Sequence, residues 1–440
     1  MKPPFNKDSS ETTPSRIRWR IAALLFAISV VTYIDRVNIS VTARQMMPAL
    51  GLTDLQMGQV FSAFTVGYAL CQIPGGWLGD WWGARRVLTL AVLWWTLFTA
   101  LTAVAATLPL AAAVGVAGSL MLIRFLVGVG EAAALPNFNR TVANWLAPQE
   151  RGLGIGMAIG GIGIGSAVTP PITAWIMVNF GWQTAFYAAA ALGLLIAAVW
   201  YFYATDRPSD HPHVNAAEVA LIEGPRNAGS GKTSAIVSPP WYVFAKTPTV
   251  WWLVFSYSCL GYIAAFYLFW FYLYLVNVAG FNVLRGAVFA SSPFLAITLF
   301  CPLGGWATDR LAVRWGVNRG RVGVGISGML LASLSIILGA FTEVPWLAIV
   351  LLSLGAGWLY FTVGAYWAST VDLSKTHAGT LSGLMNTGAN LGGSLSPTLT
   401  PWLAEQMGWP AALTAAAVIG FTGGLMWLKI RPGNGLSAGD

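Results

Sequence analysis

The sequence predicts an all-α membrane protein whose twelve transmembrane helices fall into two parallel repeats of six. Three observations predict it. Charged residues make up only 9% of the 440 and hydrophobic ones 56%, with a mean hydropathy of +0.65; a soluble domain carries about 25% charged residues. Apolar stretches of about 20 residues, enough to cross a bilayer as a helix, recur along the chain. The second half also repeats the first. Gly75-Gly76-Trp77-Leu78-Gly79-Asp80 returns as Gly304-Gly305-Trp306-Ala307-Thr308-Asp309. Gly156, Gly161, Gly165, Pro170, Trp175, Gly181 and Trp182 return as Gly383, Gly388, Gly392, Pro397, Trp402, Gly408 and Trp409, all at an offset of 227. Six is even, so both copies enter from the same side and form parallel bundles about an axis along the membrane normal.

Residues 1–16 form a polar tail, and Arg16, Arg18 and Arg20 precede the first apolar run. A signal peptide begins this way, but the run is too long and no small-residue cleavage site closes it, so it is expected to remain as the first helix. Spans are expected at 21–47, 55–78, 87–107, 111–139, 153–178 and 184–203, making an N-terminal bundle over 17–204. Residues 205–246 gather Pro208, Pro212, Pro225 and Pro239 with several charges and a Gly-Ser-Gly stretch. They read as a cytoplasmic linker with a short amphipathic helix near 216–222. Spans at 249–277, 284–308, 322–341, 346–371, 380–405 and 411–430 make a C-terminal bundle over 247–431, before a tail at 432–440. Span five is rich in glycine (Gly152, Gly154, Gly156, Gly160, Gly161, Gly163, Gly165). This permits close helix approach; no strand precedes it and no Lys-Ser/Thr follows, so it is not a phosphate loop.

Loop charges orient the chain. With the N-terminus inside, the cytoplasmic segments hold Arg85, Arg86, Arg140, Arg151, Arg207, Arg226, Lys232, Lys246, Arg310, Arg314, Arg319, Arg321, Lys375, Lys429 and Arg431. The outer loops hold little more than Arg285, with Arg44 near one edge. This bias places both termini in the cytoplasm of a cell (inner or plasma) membrane. It also accounts for 24 Lys and Arg against 16 Asp and Glu without a nucleic-acid partner. Cys71, Cys259 and Cys301 lie in apolar runs, and His211, His213 and His377 in polar loops. That pattern makes neither a disulfide framework nor a metal site. No His-Glu-x-x-His motif is present and no histidine lies at membrane depth, which argues against an intramembrane enzyme. A two-bundle repeat with a midplane charge cluster suits alternating access better than a channel.

The charges at membrane depth carry the function. Tyr33-Ile34-Asp35-Arg36-Val37-Asn38 sits inside the first span, where each charged side chain costs about 2.5–3.5 kcal/mol on insertion scales. Adjacent residues point ~100° apart on a helix, so one of Asp35 and Arg36 can face a central cavity while the other turns to a neighbour. Arg124 and Glu131 are two turns apart in span four and share a face. The arginines can hold a carboxylate through a two-bond fork, and Asp35 and Glu131 can carry a coupling proton. Glu131 is the first candidate, with Asp35 expected to hold or release Arg36. Equal numbers of acids and bases leave two static ion pairs as the alternative. Tyr68 and Gln72 are four apart on span two, and Asn386 and Asn390 four apart on span eleven; they can meet substrate hydroxyls or join helices as polar contacts. Tyr257 and Tyr262 in span seven and Trp367 in span ten are further lining candidates, among aromatics that mostly pack or mark the interface. Asp80 closes span two, where it can cap a facing helix or hold Arg85 or Arg86 in one conformer.

Gly76-x-Leu78-x-Asp80-x-x-Gly83-x-Arg85-Arg86 resembles the loop 2–3 signature of the major facilitator superfamily, with Ala84 where the family carries its first basic residue. The copy ending at Asp309 lies between spans eight and nine, as in that family. Tyr33-x-Asp35-Arg36-x-Asn38, the stretch from Arg124 through Gly128 and Gly130 to Glu131, and Asp206-Arg207-Pro208 with His211-Pro212 resemble the anion:cation symporter branch. That branch contains sugar-acid/proton symporters, sialic acid carriers and vesicular glutamate transporters. The resemblance covers nearly the whole chain. It implies the major facilitator fold and a monomeric secondary transporter importing an organic anion, with a sugar acid (aldonate, uronate or aldarate) the first expectation. Import is by proton symport and alternating access, with no cofactor beyond H⁺. It places Tyr68 and an asparagine of span eleven among the substrate-lining groups, and Asp80, Arg85, Arg86 and Asp309 at the gate. An aromatic-acid/proton symporter and a drug or metabolite proton antiporter are the alternatives. Thr169-Pro170-Pro171 replaces the Gly-Pro of many antiporters, and Trp270-Phe271-Tyr272 lacks the proline of the family's Trp-x-Pro bend.

Overall fold

A computed structural model describes residues 13–147, 150–228, 246–373 and 378–434. Regular structure among them is entirely helical. The N-terminal half comprises α1 (Ile17–Leu50), α2 (Asp54–Trp82), α3 (Ala84–Thr102), α4 (Pro109–Glu131), α5 (Ala134–Trp145), α6 (Arg151–Phe180) and α7 (Trp182–Tyr203). After α8 (Ala216–Ala228) come α9 (Pro248–Phe269), α10 (Phe271–Asn277), α11 (Val283–Ala290), α12 (Ser292–Trp315), α13 (Val317–Phe341), α14 (Pro345–Phe361), α15 (Val363–Leu373), α16 (Ala378–Met407) and α17 (Trp409–Met426). Residues 229–245 of the expected linker, with Lys232, and Lys375 and His377 of loop 10–11 lie outside the described residues.

Local chemistry sets many of the ends. Thr53 and Gln56 form a reciprocal capping box at the start of α2, satisfying two otherwise orphaned N–H groups. Pro109, Pro248, Pro293, Pro345 and Pro410 stand in the first turn of α4, α9, α12, α14 and α17, where a missing N–H is harmless. The repeat is visible in the backbone. Gly83, Gly181, Gly316 and Gly408 turn the chain between spans two and three, five and six, eight and nine, and eleven and twelve at φ +84 to +87, a conformation open to glycine.

Spans four, seven, eight and ten, expected as single helices, are each two: α4 with α5, α9 with α10, α11 with α12, and α14 with α15. The breaks in four and ten sit against another helix of their half, and in four Pro136 also removes the hydrogen bond to the Ala132 carbonyl. Gly75 abuts Ala133 and Gly304 abuts Phe361, so in both halves the first glycine of the repeated Gly-Gly-Trp motif touches the broken helix. Asn137 then donates to the Gly75 carbonyl at 3.0 Å. Span seven breaks at Trp270 without a proline. The Trp270 indole donates to the Pro397 carbonyl at 2.9 Å and meets the Phe61 ring edge-on, so contacts from elsewhere fix the bend.

Ten of the described helical stretches are long and apolar enough to cross a membrane; α2 and α16, of 29 and 30 residues, complete the twelve. These two carry more polar groups because they face each other across the seam between the halves. Gly58 abuts the Pro397 carbonyl, Ser62 and Thr398 hydroxyls lie 2.8 Å apart, and Asn386 donates to Gln72 at 3.3 Å. Phe61 stacks on Phe269 at 4.9 Å. On the other flank Ser291 donates to the Ala167 carbonyl. The halves therefore meet from the end opposite the termini down to mid-depth.

Within each half the repeated glycines do the same work. Gly161 and Gly165 let α6 lie against Phe26, Ser29 and Val30 of α1, and Gly388 and Gly392 let α16 lie against Val254 and Ser258 of α9. At the end bearing the termini, α8 is locked to α1. Buried Glu218 accepts the backbone N–H of Ile17 and Arg18 at 3.2 and 3.1 Å, takes the Ser15 hydroxyl, and pairs with Arg18 at 3.0 Å. Arg18 also reaches Glu150 at 2.9 Å.

Candidate functional site

The first span is too polar at its centre to be a mere anchor, and its charged residues converge with those of α4. Arg36 Nε donates to Glu131 Oε2 at 2.5 Å, and Arg36 Nη1 donates to the Tyr33 hydroxyl at 3.3 Å. The guanidinium lies 4.5 Å from the Tyr68 ring centroid, 4.8 Å from Tyr33 and 5.2 Å from Phe64. Three aromatic faces thus hold one cation, an arrangement worth about 0.5–2 kcal/mol per contact. Nη2 has no acceptor among the described residues.

Arg124 and Asp35 occupy the other side of this cluster. Arg124 is wholly buried, stands 5.2 Å from the Phe64 ring, and makes no hydrogen bond through any of its three nitrogens. Neither carboxylate oxygen of Asp35 has a hydrogen-bond partner, nor has Glu131 Oε1. Trp95 and Thr99 lie beside Asp35 without reaching hydrogen-bond geometry, and Arg124 is its oppositely charged neighbour. Unpaired polar atoms this deep are destabilising.

This geometry corrects one expectation. Asp35 does not hold Arg36; the two point apart, and Asp35 turns toward Trp95 and Thr99 of α3. Arg36 instead reaches Glu131 from a different helix. The rotation of α1 about its own axis decides this, and adjacent positions in the sequence leave it free.

The other expected residues divide into groups. Tyr68 lies under Arg36. Tyr257 accepts from the Trp367 indole at 3.1 Å and packs on Tyr366 at 4.7 Å. Asn390 donates to the Asn386 carbonyl at 3.0 Å, and Asn386 reaches Gln72 across the seam. Tyr262 is not with the charged cluster: its hydroxyl meets Thr400 at 3.3 Å, near the closed seam at Pro397. At the end bearing the termini, the Asp80 side chain lies outside the described residues. Arg85 binds the Tyr201 carbonyl through two nitrogens and stacks on the Tyr201 ring at 4.9 Å. Its backbone N–H donates to Asp206 at 2.9 Å, against which Gly83 also packs. Arg86 is exposed. Asp309 pairs with Arg321 at 2.8 Å, and Arg321 pairs with Asp372 at 3.0 Å.

Sequence reasoning missed Tyr33, Phe64, Trp95, Thr99, Cys301 and Tyr360. Tyr33 was within reach, since it stands three residues before Arg36 and so shares its face. Tyr360 and Tyr257 are the electrostatic neighbours of Tyr33 from the C-terminal half, with Cys301 beside both and Tyr360 within range of Arg36. No local pattern marks Tyr360 or Cys301.

Comparison with known proteins adds to this geometry. The family described as Major Facilitator Superfamily matches residues 25–397. A Cupriavidus necator protein described as a probable sulfoacetate transporter is 34% identical over 400 residues, covering 89% of this chain and 89% of that protein. A Bacillus subtilis protein described as a probable galactarate/D-glucarate transporter is 32% identical over 402 residues, covering 88% and 86%. The hexuronate transporter of Bacillus subtilis is 29% identical over 398 residues, covering 90% of each. Among solved structures, an inward-facing, unoccupied bacterial homologue of the human lysosomal transporter Spinster superposes with a TM-score of 0.76 at 19% identity, covering 95% of this chain and 99% of that one. A D-xylose–proton symporter superposes with a TM-score of 0.74 at 14% identity, covering 95% and 98%.

Proposed function

The chain belongs to the major facilitator superfamily, and on that footing we propose that it imports a small organic anion, a sugar acid first, by proton symport through alternating access. Membership makes it a multi-pass membrane transporter and not an enzyme. The relatives named for hexuronate, galactarate/D-glucarate and sulfoacetate support an anionic substrate. The observation that carries the reading is Arg36: its Nε is held by Glu131, its faces by Tyr33, Phe64 and Tyr68, and its Nη2 is left for a substrate carboxylate.

The coupling follows from that pair. When Glu131 takes a proton, its charge-assisted bond to Arg36 weakens and the guanidinium is available as a two-bond fork. When Glu131 loses the proton, it reclaims Arg36 and the substrate carboxylate is displaced. Asp35 and Arg124 form a second opposed pair that balances the cluster while Arg36 changes partners. The loop bases assign the end bearing the termini to the cytoplasm. With the halves joined at the other end, the arrangement is then inward-facing, and the membrane is the cell's inner or plasma membrane.

Counterflow of labelled D-glucuronate in proteoliposomes, with and without an inward proton gradient, tests the proposal. Saturable exchange without a gradient and accumulation only with one are expected. Exchange of a labelled drug-like cation in its place, driven by an outward-directed flux of protons, supports the antiporter alternative and overturns the anion reading.

A further inference from the structure

The two halves contribute unequal chemistry at mid-depth. Asp35, Arg36, Arg124 and Glu131 all come from the N-terminal half. Among the described residues of the C-terminal half every charged one lies near a helix end: Arg285, the group from Asp309 to Arg321, Glu343, Asp372, Glu405, Lys429 and Arg431. The C-terminal groups within electrostatic range of Tyr33 are Tyr257 and Tyr360, with Cys301 beside both and Tyr360 also in range of Arg36. The Trp367 indole donates to Tyr257, and on α16 Asn390 donates to the Asn386 carbonyl while Asn386 reaches Gln72 of the N-terminal half. These can stack on a substrate or exchange hydrogen bonds with its hydroxyls. None can neutralise a second anion.

We infer that the substrate carries one anionic group, bound by the N-terminal half at Arg36, and a neutral remainder, bound by the C-terminal half. This rests on the reading above that the substrate is an organic anion, and it separates aldonates and uronates from aldarates. In an extended six-carbon diacid the carboxylate carbons lie about 6 Å apart. With one held at Arg36, the other is set against a wall without a cation. Arg124 does not serve it, because that side chain is fully buried beside Phe64 with Glu131 and Asp35 as its opposite charges. Closing the halves around a diacid strips water from an uncompensated charge, which is strongly unfavourable. A monoacid of the same length presents a hydroxymethyl or aldehyde end there, which tyrosine and asparagine can satisfy.

The test is competition in proteoliposomes holding the full chain. Uptake of labelled D-glucuronate is measured against unlabelled D-galactonate, D-glucarate and galactarate at neutral pH. Monoacids are expected to compete about tenfold or more better than diacids of equal length; diacids that compete equally or better overturn the inference. A parallel pair, 4-methylbenzoate against terephthalate, reads the charge rule without sugar chemistry. If labelled D-glucuronate is not taken up, the sugar-acid reading fails, and direct uptake of labelled 4-methylbenzoate against labelled terephthalate decides the charge rule. A cation on the neutral wall, Asn390→Lys, is expected to narrow the gap toward diacids; an unchanged or wider gap in that folded variant counts against the assignment.

Discussion

Arg36 and Glu131 are 95 residues apart in the chain, and their side chains meet at 2.5 Å at the buried centre of the N-terminal half. The arginine joins helices α1 and α4 and is the cation placed to meet an anion. Removing it deletes the carboxylate fork and leaves Glu131 buried without its partner. Arg36→Ala is therefore expected to abolish substrate binding, and Arg36→Lys not to restore it, since an ammonium lacks the planar fork. Calorimetric titration of folded, purified variants checks this; near-native affinity in Arg36→Ala would falsify the role.

Glu131→Gln keeps the shape of the site and removes the charge that competes for Arg36. Substrate exchange between the two sides is expected to persist. Accumulation driven by a proton gradient is expected to disappear, because the variant resembles the protonated form at every pH. Counterflow and gradient-driven uptake in the same vesicles separate the two. Concentrative uptake by Glu131→Gln moves the coupling proton elsewhere, with Asp35 the next group to change.

Glu218 stabilises the start of α1 from the linker helix. It is fully buried, accepts two backbone N–H groups, and shares Arg18 with Glu150. Glu218→Ala strands those donors and half-frees Arg18. A loss of ~3 kcal/mol is expected, read as a Tm several degrees lower in detergent. Transport per folded molecule is expected to be unchanged. An unaltered Tm shows that the lock contributes little.

Gly58 sits against the Pro397 carbonyl where the halves are joined. Any side chain there must push α2 from α16. Gly58→Leu is expected to disfavour the arrangement closed at the end opposite the termini. A cysteine placed at Ser62, which now meets Thr398, should then react faster with a membrane-impermeant thiol reagent. An equal rate in the Gly58→Leu background rules out this seam as the closing surface.

Composition, hydropathy and the 227-residue repeat were enough for twelve helices in two parallel sets, because a bilayer forces backbone groups to pair within each helix and leaves little freedom of architecture. The four charged residues of the site were legible for the same reason: charge at membrane depth stands out against apolar neighbours. The glycines of span five announced close packing, which Gly161 and Gly165 make against α1, and their repeat counterparts Gly388 and Gly392 do the same against α9.

The partners of those charges were decided only by the tertiary structure. Which way Asp35 and Arg36 turn depends on the rotation of α1 against α3 and α4, and neighbouring positions on a helix do not determine it. The breaks in spans seven and ten likewise sit against contacts with Phe61, Pro397 and Gly304, distant in sequence and with no proline at the break, whereas span four is also marked locally by Pro136, which cannot bond the Ala132 carbonyl. Tyr360 and Cys301, which stand beside the expected Tyr257, were hidden for a related reason. Aromatic and thiol side chains in an apolar helix read as packing until a second helix, far along the chain, brings a cation opposite them.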